Sequence, residues 1–169
     1  NFRKWLRAES LEPYNSFGNG SAMRVSPVGC AFDTTEELLV QAKASAAATH
    51  DHPEGIRGAQ AVAYVVMRCR TDPEITPGEI ESEVTARFHY RLDQSLDAIR
   101  PNYRFDVTCQ GSVPQAIIAF LEATSVEDAI RNAVSLGGDS DTQACMAAAM
   151  AGARFGTISE ELDAVVRAH

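Results

Sequence analysis

The carboxylates of Asp139 and Asp141 and the hydroxyl of Thr142 fall within the four residues Asp139-Ser140-Asp141-Thr142, directly after the pair Gly137-Gly138. Oxygen-only donors of this kind suit a hard cation, Mg²⁺ first and Mn²⁺ or Ca²⁺ as alternatives, rather than zinc. Inside a helix, side chains two residues apart diverge; at a turn entering a helix they can converge on one ion. A helix N-cap needs one Asp, so the second carboxylate and Thr142 exceed what capping requires, although capping is the competing reading. A second segment, Thr49-His50-Asp51-His52-Pro53-Glu54-Gly55, sets two imidazoles among carboxylates at a helix boundary. Such imidazoles can bind metal, contact a sugar or shuttle protons near neutral pH. The alternative is a helix C-terminus whose dipole favours His, closed by a proline. A third segment is Gly18-Asn19-Gly20-Ser21-Ala22-Met23-Arg24. Its glycines allow positive φ and close approach of a ligand to the backbone. Its successive N–H groups can form an anion-binding nest, and Arg24 adds a positive charge. The segment matches neither a Walker loop nor a dinucleotide fingerprint, and a plain turn before a helix is its alternative.

Charge narrows the ligands such segments could take. The 169 residues carry 15 Lys and Arg against 23 Asp and Glu, a net charge of −8, with no run of basic residues. Phosphate-backbone binding needs a basic face, so a nucleic-acid surface is not expected, nor is a helix lying on an anionic membrane. The longest apolar stretches, such as 61–67 and 144–151, are far too short to span a bilayer. No basic segment precedes an apolar one as in a signal peptide. Cys30, Cys69, Cys109 and Cys145 are separated by 39, 40 and 36 residues, with no CxxC. That spacing signals neither zinc nor a disulfide framework; four buried free thiols in a reducing cytoplasm are expected.

The elements that must position these segments read as helix after helix. Asp33 to Glu37 offers a capping box, Thr34 with Glu37 or Asp33 with Glu36, before a stretch to Ala48. Ala59, Val62, Ala63, Val66 and Met67 form a helical stripe. Thr76-Pro77-Gly78-Glu79 starts a helix expected to reach about Tyr90. Ser112 precedes the stripe Val113, Ala116, Ile117, Phe120, Leu121, and Ser125 caps one that Gly137 stops. A helix from about Asp141 to Phe155 ends at Gly156, and Ser159 starts the last. Strand patterning is poor; only 105–109 reads as a short extended run. With 26 alanines to let helices approach closely, the chain is expected to form one compact all-α domain over residues 1–169. Pro13 to Gly29 and Pro101 to Gly111 lack periodicity and are expected to be the long loops that carry function.

Taken together and in order, the segments resemble the ADP-ribosylglycohydrolase family, including the glycohydrolases that reactivate ADP-ribosylated dinitrogenase reductase. The resemblance rests on GNGSAMRVSPVG (18–29), THDHPEGIRGAQAVA (49–63), CQGSVPQAI (109–117) and SLGGDSDTQACMAAAMAGARFG (135–156), and spans nearly the whole chain. It implies a multi-helix bundle, one or two Mg²⁺ ions and hydrolysis of the glycosidic bond joining ADP-ribose to an acceptor. By position, Asp139, Asp141 and Thr142 match the family's C-terminal metal ligands. Gly18, Asn19, Gly20, Ser21, Met23 and Arg24 match its substrate loop, and His50 its ribose-contacting histidine; His52 shares the motif without an assigned role. The family's N-terminal Thr-Asp-Asp metal motif and upstream catalytic acid have no counterpart here. The chain is therefore expected to be the C-terminal part of such a domain.

These readings imply protein de-ADP-ribosylation, with ADP-ribose or an ADP-ribosylated protein as partner. Cleavage at the anomeric carbon passes through an oxocarbenium-like state. Asp139 and Asp141 are expected to contribute through water on a bound ion, with the catalytic base itself unassigned. The alternative is a non-catalytic ADP-ribose or nucleotide-binding module, a truncated relative with half a metal site. Such a chain is expected to expose an apolar face that self-associates or takes up an upstream segment.

Overall fold

The computed structural model describes residues 2–9, 11–156 and 158–168, and among them every regular element is a helix. In chain order these are α1 (Phe2–Trp5), α2 (Gly20–Met23), α3 (Ser26–Ala31), α4 (Thr35–Ala47), α5 (Pro53–Thr71), α6 (Pro77–Phe88), α7 (Leu96–Ile99), α8 (Cys109–Leu121), α9 (Val126–Ser135), α10 (Ser140–Phe155) and α11 (Glu160–Arg167). The all-α expectation holds. The extended run at 105–109 survives as one isolated antiparallel bridge between Gly18 and Thr108. No helix among the described residues is long and apolar enough to cross a membrane.

Local signals set most boundaries. Thr34 accepts a hydrogen bond from the Glu37 amide, and Thr76 with Glu79 makes a reciprocal capping box. Ser125 and Ser159 cap α9 and α11. Three boundaries differ from expectation. The helix after Thr76 stops at Phe88 because His89 turns left-handed at φ 57°. α8 begins at Cys109, capped by Thr108 rather than Ser112, whose hydroxyl bonds back to the Thr108 carbonyl at 2.6 Å. The stretch from Pro13 to Gly29, expected as a loop, contains α2 and α3; both are too short to show a period.

The core is organised around α5. Its residues Gly58, Ala59, Ala61–Met67 and Cys69 are buried, as expected of a helix surrounded by other helices. α2, α3, α4, α6, α8 and α10 all pack against it, and α10 in turn packs on α8 and α9. Small residues make the approaches possible. A Cβ on Gly29 would lie 2.7 Å from Val66 Cβ and 2.8 Å from the Ala63 carbonyl, so α3 rests on α5 backbone to backbone. Arg70 holds the far end of that contact through the Phe32 carbonyl and Asp33. The expectation of four buried thiols is corrected: Cys69 and Cys109 are buried, whereas Cys30 and Cys145 lie on outward helix faces and are exposed. Small neighbours in sequence do not reveal which helix face a thiol occupies. α1 and α11 bury no residue, and Phe2, Leu6, Val165 and Val166 are exposed.

Glycine-to-alanine exchanges should therefore split by context. Gly29→Ala forces α3 off α5 and should lower unfolding free energy by about 1–3 kcal/mol. Gly78→Ala meets nothing within 4 Å and should raise it by about 0.4–1 kcal/mol. Urea denaturation of the two variants beside the parent checks both signs.

Candidate functional site

The fold brings the three chemistry-bearing segments to one place, and Asn19 joins two of them directly. Asn19 is buried, and its Nδ2 donates to Asp139 Oδ2 at 2.7 Å and to Ser112 Oγ at 3.1 Å. One carboxamide thus ties the N-cap of α10 and the first turns of α8 to the Gly18–Arg24 segment. The backbone of that segment is pinned from the other side. The Asn19 amide donates to the Val107 carbonyl at 2.8 Å, and the Cys109 amide donates to the Phe17 carbonyl at 2.9 Å. The Cys109 thiol donates to the Gly18 carbonyl at 3.2 Å; burial pushes its pKa up to about 11, so it serves as a neutral donor.

The glycines work differently from expectation. Gly18 and Gly20 do not adopt positive φ; the chain enters α2 through Asn19 at φ −75°, ψ −5°. Both lie beside His50 instead. A Cβ would lie 3.6 Å from His50 Nε2 at Gly18 and 3.4 Å from it at Gly20. His50 Nε2 therefore faces the glycine segment across a gap that a single Cβ would already bring into contact. The α2 start leaves the amides of Gly20, Ser21 and Ala22 without intrahelical acceptors.

The other matched residues divide between this gap and its support. The Ser21 hydroxyl is fully buried and donates to the Gly55 carbonyl at 2.8 Å, so it joins α2 to α5 and does not face the gap. Met23 is exposed. The Arg24 guanidinium donates to the Ser45 carbonyl at 3.0 Å and to Thr49 Oγ1 at 3.1 Å, which places the charge behind His50 rather than along the glycine segment. His52 is the N-cap of α5: its Nδ1 accepts from the Glu54 amide at 3.1 Å, and its ring meets Phe17 edge-on. The segment thus follows a helix end, α4 closing at Ala47 with Ala48 as its cap, and also starts the next helix at His52.

At the acidic segment the two glycines have separate tasks. Gly137 takes φ 71° to end α9. Gly138 lies against the Tyr103 ring, where a Cβ would approach to 2.4 Å. Tyr103 donates to the Gly111 carbonyl at 2.7 Å and accepts from Gln143 Nε2 at 2.8 Å; its burial pushes the phenol up to about 12. Asp139 occupies the N-cap position of α10 but makes no capping bond with its side chain. Its Oδ1 has no partner among the described residues, and Oδ2 holds Asn19. Asp141 is exposed and accepts the Thr142 amide at 2.8 Å; Thr142 is buried. Two carboxylates and a hydroxyl that do not cap are a donor set suited to Mg²⁺ or Ca²⁺. Among the described residues no group of three or more His, Cys, Asp or Glu side chains is placed to hold a metal, so this set is a partial one.

Comparison with known proteins identifies relatives by sequence and by fold. The ADP-ribosylglycohydrolase family model matches residues 1–165. The chain belongs to the ADP-ribosylglycohydrolase family. Human ADP-ribosylhydrolase ARH3 is 30% identical, over 83% of this chain and 51% of its own length. ARH3 of Xenopus tropicalis is 28% identical, over 88% and 55%, and a protein of Archaeoglobus fulgidus is 29% identical, over 83% and 50%. The chain thus spans about half the length of the curated relatives it matches. A solved structure described as an ADP-ribosylglycohydrolase-related protein complex superposes with a TM-score of 0.69 at 23% identity, covering 91% of this chain and 56% of that one. The fold is that of this neighbour.

Sequence patterns alone did not disclose Asn19's two partners, 93 and 120 residues away, or Tyr103, which sits in an aperiodic stretch. Two outcomes follow. Asn19→Ala removes both bonds, one of them to a carboxylate, and should cost about 1–3 kcal/mol in urea unfolding. His50 should titrate below the usual histidine value of about 6.5, because burial and the Arg24 charge outweigh Asp51. Its depressed pKa means its contribution to stability is present above about pH 6.5 and declines as pH falls below that value. NMR titration of the ring protons reads the midpoint directly.

Proposed function

We propose that this chain supplies the ADP-ribose-holding portion of a glycohydrolase that cleaves the bond between ADP-ribose and a protein side chain. The observation that carries the reading is the Asn19–Asp139 bond, which brings the glycine segment and the acidic segment together with His50 alongside. Family membership and the names of the ARH3 relatives support the substrate class.

Each part has a physical task. The partly exposed Gly20 backbone and the His50 ring offer hydrogen bonds to sugar and phosphate oxygens. Asp139, Asp141 and Thr142 would hold one or two Mg²⁺ ions, whose chemistry there is to neutralise charge, orient ribose hydroxyls and acidify water. A net charge of −8 makes that local compensation necessary for an anionic pyrophosphate. Asn19 keeps Asp139 out of the capping role, leaving Oδ1 available. The partial donor set favours a second reading, an ADP-ribose-binding module that leaves the bond intact.

The test uses a mono-ADP-ribosylated protein with and without Mg²⁺, and calorimetry with ADP-ribose in parallel. Release of ADP-ribose that depends on Mg²⁺ and falls by roughly 10²-fold or more in Asp141→Ala supports the hydrolase. Asp141 is exposed, so that variant should lose at most about 1 kcal/mol of stability. Binding without release supports the module, and neither binding nor release overturns both readings.

A further inference from the structure

We propose that Arg24 and Thr49 act as positioning residues that lock His50 as the Nε2-protonated imidazole, so that it meets a bound oxygen only as a hydrogen-bond donor. The inference rests on the ADP-ribose reading for the identity of that oxygen, and on the free protein alone for the tautomer.

The lock is a one-way chain of donors. A guanidinium only donates, and Arg24 Nη2 reaches Thr49 Oγ1 at 3.1 Å while also meeting the Ser45 carbonyl at 3.0 Å. Thr49 Oγ1 is 2.7 Å from His50 Nδ1. The hydroxyl has one hydrogen, and with Arg24 facing its lone pairs the acceptor within reach among the described residues is Nδ1. Thr49 is buried, so the opposite tautomer would leave that hydrogen unsatisfied away from water, which costs more than a normal hydrogen bond gains. A doubly protonated ring would point Nδ1–H at a hydroxyl already facing a cation. The consistent arrangement is Arg24 to Thr49 to Nδ1, with the ring proton on Nε2.

Nε2 is the atom that faces the glycine segment, 3.6 Å and 3.4 Å from where side chains on Gly18 and Gly20 would begin. Among the described residues no protein acceptor engages it. His50 therefore presents a single donor toward the gap, matched to a lone pair on a phosphate, ring or hydroxyl oxygen and mismatched to an ammonium group. The selection is for acceptor-rich, anionic sugar phosphates. It also explains why Arg24 stands behind the ring: its charge favours the neutral imidazole and orders the hydroxyl, without itself contacting ligand. His52, two residues on, has its Nδ1 engaged by the Glu54 amide and takes no part.

The experiment is long-range ¹H–¹⁵N NMR of the histidine rings in the free chain, with His50 assigned by its loss in His50→Gln. Calorimetry with ADP-ribose is run on the same samples. Parent protein and Thr49→Ser should show His50 as a single Nε2–H tautomer and bind ADP-ribose within about twofold of each other. Thr49→Val should show mixed tautomers and roughly tenfold weaker binding, with the same far-UV dichroism. An Nδ1–H tautomer in the parent, or an unchanged Nε2–H tautomer in Thr49→Val, overturns the proposal. A locked Nε2–H tautomer in a parent that binds no ADP-ribose upholds the lock and overturns the ADP-ribose reading instead.

Discussion

The bond from Asn19 Nδ2 to Asp139 Oδ2 is the constraint on which the rest of the site depends. It joins residues 120 positions apart, and its second arm to Ser112 recruits α8. A carboxamide suits this post because it donates twice without charge. It draws Asp139 away from the α10 amides it would otherwise cap, and leaves a carboxylate oxygen with no protein partner. Lys in its place would neutralise the acid, and Asp would repel it. A neutral donor holds the carboxylate in position while keeping its charge for something else.

That geometry requires three chain segments to approach nearly backbone to backbone, which only small residues permit. Gly29 lets α3 rest on α5, Gly58 admits the Cys109 side chain, and Gly138 admits the Tyr103 ring, each where a Cβ would fall under 3.0 Å from its neighbour. α5 is the common wall: α2, α8 and α10 all pack against it directly. The site and the core are the same packing problem, so loss of a small residue in the wall should displace the polar groups as well as cost stability.

How much of this was legible in the sequence follows from range. Helix starts at Thr34, Thr76, Ser125 and Ser159 were readable because cap and partner lie within three residues. The α8 start was misplaced because Ser112 is also a good cap residue, whereas Pro114 lies inside the helix, five residues after its first residue Cys109. Gly18 and Gly20 looked like positions for left-handed backbone, whereas neither adopts it and both lie beside His50, a long-range placement that no local pattern encodes. Residue types told that acids, imidazoles and glycines were present and matched a family. They did not tell that Ser21 faces α5, that Arg24 stands behind His50 or that His52 is a cap, because those depend on which helix a side chain meets in three dimensions.

The central claim is that the glycine segment, His50 and the acidic start of α10 form one ligand site. Backbone amide NMR of the ¹⁵N-labelled chain, titrated with ADP-ribose in the presence of Mg²⁺, tests it most directly. A single site gives saturable shifts that move together with one apparent affinity at Gly18–Ala22, at His50 and at Asp139–Thr142, with the exposed helix α11 unmoved. Shifts confined to one of these segments, different affinities among them, or saturable shifts located elsewhere on the fold would contradict it.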